Sequence, residues 1–191
     1  ANWWWKASHR CWALAKARKL GVVVHSNTLG QARVYLDKRL AQFGARDYEA
    51  KAVVLHALSI SGHADFAKAN RIYRERNSLG ATALDYKTLT FVHHDSEPVA
   101  SELAELLRQK ISLTEQGPVP RPLAHWSHQA KARRLRNDTQ ATGLALLALA
   151  HTKPDAEQGH AAARWLLRQR GCYPYRAGGV RGSVLAGLSA W

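Results

Sequence analysis

Residues 52–79 read AVVLHALSISGHADFAKANRIYRERNSL, and the contrast between their two halves decides the fold. AVVLHALSISG (52–62) is small and apolar on almost every side of a helix, so it has to be buried on most sides. KANRIYRERNSL (68–79) carries one aromatic and aliphatic stripe with basic residues behind it, which suits a helix that covers a core and faces water. The same alternation runs outward in both directions. CWALAKARKLG (11–21), TGLALLALA (142–150) and SVLAGLSAW (183–191) are of the first kind. QARVYLDKRL (31–40), ASELAELLRQKI (100–111) and AAARWLLRQR (161–170) are of the second.

Aligned on a leading alanine, the striped segments give Ala32/Tyr35/Leu36, Ala69/Ile72/Tyr73, Ala100/Leu103/Ala104 and Ala162/Trp165/Leu166. Each triplet has i, i+3, i+4 spacing and shares one helix face. The interval before the last triplet is twice the one preceding it. A helical-hairpin repeat with one unit replaced by an insertion gives this pattern. Nine helices are expected, at about 8–20, 28–43, 47–61, 64–77, 81–94, 97–112, 138–152, 156–170 and 180–191. Gly21, Gly44, Gly62, Gly80, Pro98 and Pro154 stand at the breaks, as residues that end or start helices should. Ser26 or Asn27, Asp47, Ser96 and Asp138 are the candidate N-caps. The one long non-helical stretch is 113–137, LTEQGPVPRPLAHWSHQAKARRLRN, whose three prolines exclude a helix through 118–122. The expected fold class is all-α: inner and outer helices in hairpins, with one irregular insertion at 113–137. Periodicity alone leaves a curved solenoid and a closed toroid both open.

The chain has 191 residues, enough for one domain spanning 1–191 with a substantial core. GLALLALA (143–150), the longest apolar run, is too short to span a bilayer, and no signal peptide opens the sequence. Methionine is absent, and the final pattern breaks off on Trp191; both suggest a piece of a larger protein. Lys and Arg number 28 against 14 acids, a formal charge of +14, which suits an anionic partner or a solvated basic face. Only KARRLR (131–136) is dense, and no aromatics interleave with basic residues, so no specific nucleic-acid partner is expected. Cys11 and Cys172 are too few for a disulfide framework and have no metal-ligand spacing. They read as two buried thiols or as one bridge between the ends.

Two regions resemble a known family. RNDTQATGLALLALAHTKPD and HAAARWLLRQRGCYPYRAGGVRGSVLAGLSAW are similar to the C-terminal half of the thioester domain of bacterial alpha-2-macroglobulin-like proteins. There an E-T-T-A-x-x-L-L-A-L helix precedes W-L-L-x-x-R-x-G-x-x-W-x-S-T, and an A-L-x-A-L helix follows. NWWWKASHRCWALAKARKLGVVVHSNTLGQARVYL resembles that family's Trp-rich loop, its helix, an A-x-x-x-G turn and a V-x-Y-L helix. DYEAKAVVLHALSISGHAD and RIYRERNSLGATALDYKTL resemble the hairpins that come next. The likeness covers nearly the whole chain in register. It implies an α/α toroid, here an incomplete ring, with Trp191 falling inside it. It further implies a location in the periplasm, at the cell envelope or outside the cell, with the other domains of the parent protein and a target protease as partners.

Covalent members of that family carry Cys-Gly-Glu-Gln, in which a Cys at i and a Gln at i+3 close a thioester. In this chain Cys11 is followed at i+3 by Leu14 and Cys172 by Tyr175. Leu113 and Asp155 stand where a Cys should precede Glu115-Gln116 and Glu157-Gln158. The family's Gly-Gly before the Trp-rich loop is missing, and Ala177-Gly178 replace the Ser-Thr of W-x-S-T. No thioester is expected from this chain.

Other chemistries find little support. His125 and His128 of HWSH have a metal-chelating spacing only if helical, beside a proline-rich loop with no third donor. His93 and His94 are adjacent and point to different faces, fitting a helix end. His9 and Cys11 lack further donors. Asp47, Glu49, Asp85 and Asp138 are scattered and read as caps or surface charges rather than a glycosidase pair. No D-x-D-D run of a terpenoid cyclase, prenyltransferase zinc set, phosphate loop or G-x-S-x-G elbow occurs. Neither cofactor nor catalytic residue is therefore assigned.

Trp3, Trp4, Trp5 and Trp126, with Lys131, Arg133, Arg134 and Arg136, form the candidate interaction surface, since Trp and Arg dominate interface energetics. For the first three tryptophans and Trp12, packing against the first hairpin is the competing reading. The functional expectation is a non-catalytic structural and binding domain of an alpha-2-macroglobulin-like inhibitor that entraps endopeptidases. The alternatives are a helical scaffold that holds an anionic partner on its basic surface, and a toroid enzyme of terpenoid-cyclase or glycosidase type.

Overall fold

The computed structural model describes residues 3–63, 65–115, 122–127, 138–152 and 157–169. Eight α-helices run through them: α1 (Trp3–Lys19), α2 (Ser26–Gln42), α3 (Tyr48–Ile60), α4 (Phe66–Tyr73), α5 (Ala81–Val92), α6 (Glu97–Arg108), α7 (Asp138–Thr152) and α8 (Glu157–Gln169). A 3₁₀ turn, Arg76–Ser78, follows α4. The fold class is all-α. The expected helix at 180–191, Pro154 and Cys172 lie outside the described residues.

The odd-numbered helices pack on one another in the order α1, α3, α5, α7, and each even-numbered helix covers them from outside. The sequence pattern dictates this division. Ala52–Ile60 of α3, Ala81–Phe91 of α5 and Ala141–Leu149 of α7 are buried without interruption. On the outer helices the aligned triplets turn inward. Leu36, Ala69, Ile72, Ala100, Leu103, Ala104, Ala162 and Leu166 are all buried. Exposed ion pairs lace consecutive outer helices together. Lys68 of α4 reaches Asp37 of α2 at 3.1 Å, and Arg76, just after α4, reaches Glu102 of α6 at 2.6 Å. Such surface pairs contribute under about 1 kcal/mol each, so register comes from the stripes.

Three inner helices end in the same way. Val22 N–H bonds the Ala17 carbonyl and Gly21 N–H that of Arg18; His63 pairs with Leu58 and Gly62 with Ser59; Ser96 pairs with Phe91 and Asp95 with Val92. Each is the Schellman pair that satisfies otherwise orphaned carbonyls, and it needs a residue of positive φ. Gly21 (φ 82) and Gly62 (φ 81) supply it without strain, whereas α5 uses Asp95 (φ 52). An L-residue there is strained by roughly 1 kcal/mol. Asp95→Gly should therefore raise the melting temperature by about 1–3 °C in a thermal scan. An unchanged or lower value would show that the Asp95 side chain compensates.

Three sequence expectations are revised. The Trp-rich stretch is helical from Trp3 onward, so α1 begins before residue 8, because Trp4 and Trp5 find packing partners along the same face. The start of the 113–137 insertion holds a two-stranded antiparallel hairpin, β1 (Ser112–Glu115) against β2 (Pro122–His125), pairing Ser112 with His125 and Glu115 with Pro122. Pro122 sits at the first position of its strand, where a missing N–H is tolerated. Among the N-caps, Asp47 and Ser96 occupy the cap positions of α3 and α6 without a side-chain cap bond, and His25 takes that of α2. Asp47 instead accepts the Gly44 N–H at 2.9 Å. Asp65, which the pattern does not single out, is the cap that bonds, accepting from Lys68 N–H at 2.9 Å.

Candidate functional site

Trp3, Trp4 and Trp5 open α1, and the helix separates their roles. Trp3 is 59% exposed, with the Lys6 ammonium 5.0 Å from its ring. Trp4 and Trp5 are half-buried against the core, and Trp4 meets Phe43 edge-on at 5.3 Å. Trp126 does not belong to a surface: it is fully buried, which corrects its place in the candidate interaction surface. Its indole N–H donates to the Leu107 carbonyl at 2.7 Å, and its backbone N–H donates to Thr142 Oγ1 at 3.1 Å. The ring thus fastens the hairpin between the end of α6 and α7, and its polar groups are satisfied there. Lys131, Arg133, Arg134, Arg136 and His128 lie outside the described residues.

Polar groups gather where the inner helices meet. The His56 ring on α3 lies 4.8 Å from Trp12, 5.6 Å from Tyr86 and 5.5 Å from His93, against which it stacks. Both His56 nitrogens are buried and make no hydrogen bond. Burial, then the charges of His93, His9, Lys16 and His151, hold its pKa well below the ordinary value. His93, at the C-terminal end of α5, is pushed down to about 4 by burial and by Lys19 and Lys16. Partial burial and Lys16 also lower His151 on α7. Lys16 on α1 thus lies within electrostatic reach of His93 at the end of α5 and of His151 on α7. Lys16, His93 and His151 each stand at or near the C-terminal end of a helix, the side that helix dipoles favour for cations.

Tyr86 O–H donates to His9 Nε2 at 3.3 Å, and His9 Nδ1–H donates to the Trp5 carbonyl at 2.9 Å. This relay ends on a backbone carbonyl, so it orients rings and delivers no proton to an outside group. His93 and His94 part company as expected: His93 stacks on His56, whereas His94 meets Phe66 edge-on at 5.6 Å. His125 lies on β2, parallel to Trp165 at 5.1 Å.

Cys11 is a buried thiol that donates to the Ala57 carbonyl at 3.7 Å. Burial pushes its pKa up, against the weaker pull of Ser61 and Arg33, so it stays protonated and a poor nucleophile. The cap or surface reading of Asp85 is corrected by its burial. Asp85 is fully buried with neither carboxylate oxygen hydrogen-bonded, and burial raises its pKa well above the carboxylate range, so the acid is neutral. Asp85 is thus neither a cap nor a surface charge. Lys87 is fully buried too; its ammonium donates to the Ala69 carbonyl at 2.7 Å, 4.7 Å from the Phe91 ring. The local pattern carries little signal for either, since ATALDYKTLTFV mixes three Thr with the two charges. Among the described residues no group of three or more His, Cys, Asp and Glu side chains is arranged to hold a metal ion.

Fold and site together define a class: an all-α protein of alternating inner and outer helices with a His-containing inner layer. No family profile and no curated protein matches the sequence. The fold is similar to that of part of Salmonella alpha-2-macroglobulin, in a crystal structure of that protein reacted with methylamine. The two share a TM-score of 0.74 and 12% identity over 98% of this chain. The chain spans 12% of that protein's length.

Proposed function

We propose that this chain is the thioester-type domain, an α/α toroid, of an alpha-2-macroglobulin-like protein that entraps endopeptidases at the cell envelope. In this reading the domain is non-catalytic and works through interfaces with the parent's other domains and with the trapped protease. The observation that carries it is the two-layer helical order, similar to alpha-2-macroglobulin along 98% of the chain.

The residues favour a steric role over a covalent one. The Cys11 thiol is buried and protonated, with Leu14 where an acyl donor would have to be. Two measurements test the proposal. Incubation with methylamine should add no mass to the chain and release no new thiol; incorporation at any residue would reverse the non-covalent reading. The parent protein, mixed with an endopeptidase, should block cleavage of a large protein substrate and spare a small peptide substrate. If both substrates are cleaved as before, the entrapment reading falls.

A further inference from the structure

The loop after α1 carries an exposed apolar tip. Leu20, Val22 and Val23 are 82%, 57% and 91% exposed, three large aliphatic side chains in four positions. Their exposure is built in, because the Schellman pair at Gly21 fixes the backbone that presents them. Lys16, Arg18 and Lys19, in the last turn of α1, are exposed directly behind them. Half-buried His93 and exposed His151 lie within electrostatic reach of Lys16, with Asp95 as the acid on the neighbouring α5 turn.

We propose that this tip docks on an anionic lipid bilayer, with Leu20, Val22 and Val23 entering the interface and Lys16, Arg18 and Lys19 resting on the headgroups. Shape separates a bilayer from a protein partner. Side chains exposed to this degree have no walls beside them, so a protein would need a matching pocket, whereas a bilayer accepts any convex apolar tip. Charge points the same way, since the basic collar and the chain's formal +14 complement a negative surface. Interfacial binding of this kind combines buried apolar area with electrostatic attraction, and each basic residue near an anionic surface contributes about 1 kcal/mol. The inference is independent of the macroglobulin reading: it needs only the loop and its collar.

Cosedimentation of the full chain with vesicles tests it, using equimolar phosphatidylglycerol and phosphatidylcholine against phosphatidylcholine alone at low ionic strength. The wild type should sediment with the anionic vesicles and at least about tenfold less with the neutral ones. Leu20→Asp/Val23→Asp should reduce partitioning about tenfold or more with an unchanged melting temperature. Lys16→Gln and Lys19→Gln should each weaken it about fivefold. Should the acidic pair unfold the chain, Leu20→Ser/Val23→Ser carries the same expectation with a smaller loss. The proposal fails if the wild type stays in solution. It fails equally if the aspartate or serine pair binds like the wild type, since diffuse basic charge would then account for the attraction.

Discussion

Trp126→Ala should lower the unfolding free energy by about 3–5 kcal/mol, among the largest effects of any single replacement in the chain. The indole is fully buried where the end of α6, the hairpin and α7 meet, so truncation leaves a cavity three elements would have to collapse into. It also strips a hydrogen bond from the Leu107 carbonyl, worth about 1 kcal/mol. Trp126→Phe keeps most of the volume and loses that bond, so about 1–2 kcal/mol is expected. Urea titration separates the two variants: the midpoint should fall with the slope unchanged. A Trp126→Ala chain as stable as the wild type would mean that the ring packs on nothing, and the interface reading of Trp126 would return.

Lys87→Met should raise stability at neutral pH by on the order of 2–4 kcal/mol. Lys87 is fully buried, and burial lowers its pKa to about 7, whereas an unfolded lysine titrates near 10.4. Between those values the unfolded chain binds the extra proton, so wild-type stability climbs with pH, by at most about 1.4 kcal/mol per unit. Below pH 7 both states are charged and the full cost of burying the ammonium remains. Methionine fills the same space without charge, so the climb between pH 7 and 10 should be absent from the variant, whose stability should approach the wild type's at the alkaline end. The Ala69 carbonyl that loses its ammonium lies within helix α4. Denaturant melts of both proteins across that range check the prediction; parallel curves would place the Lys87 ammonium in water. On the acid side both proteins should still weaken below about pH 6.5, because unfolded histidines take up protons that His56 and His93 resist in the folded chain.

These two residues mark how far the sequence could be read. Lys87 shares its segment with Asp85 and three Thr, and charged side chains are almost always at the surface, so no local pattern marks it as buried. Its partner, the Ala69 carbonyl, lies 18 positions away on another helix. Trp126 was misread for the opposite reason. Its stretch, with prolines and basic residues around it, looks like an exposed loop, and only the pairing of Ser112–Glu115 with Pro122–His125 draws it inward. Strands of four residues leave too short an alternation to be detected by periodicity.

From the sequence alone came the division into small apolar helices inside and striped helices outside, the inward face of each triplet, and the glycine breaks at positions 21, 44, 62 and 80. These follow from local rules, since helix period, side-chain size and positive φ act within a few residues of one another. The absence of a Cys-x-x-Gln unit was legible in the same way. Tertiary structure alone decided that His56, Tyr86, His93 and Lys16 share a neighbourhood, that Asp85 and Lys87 lose their water, and that Leu20 and Val23 keep theirs. Burial depends on which helix arrives from elsewhere in the chain, and no local pattern records that arrival.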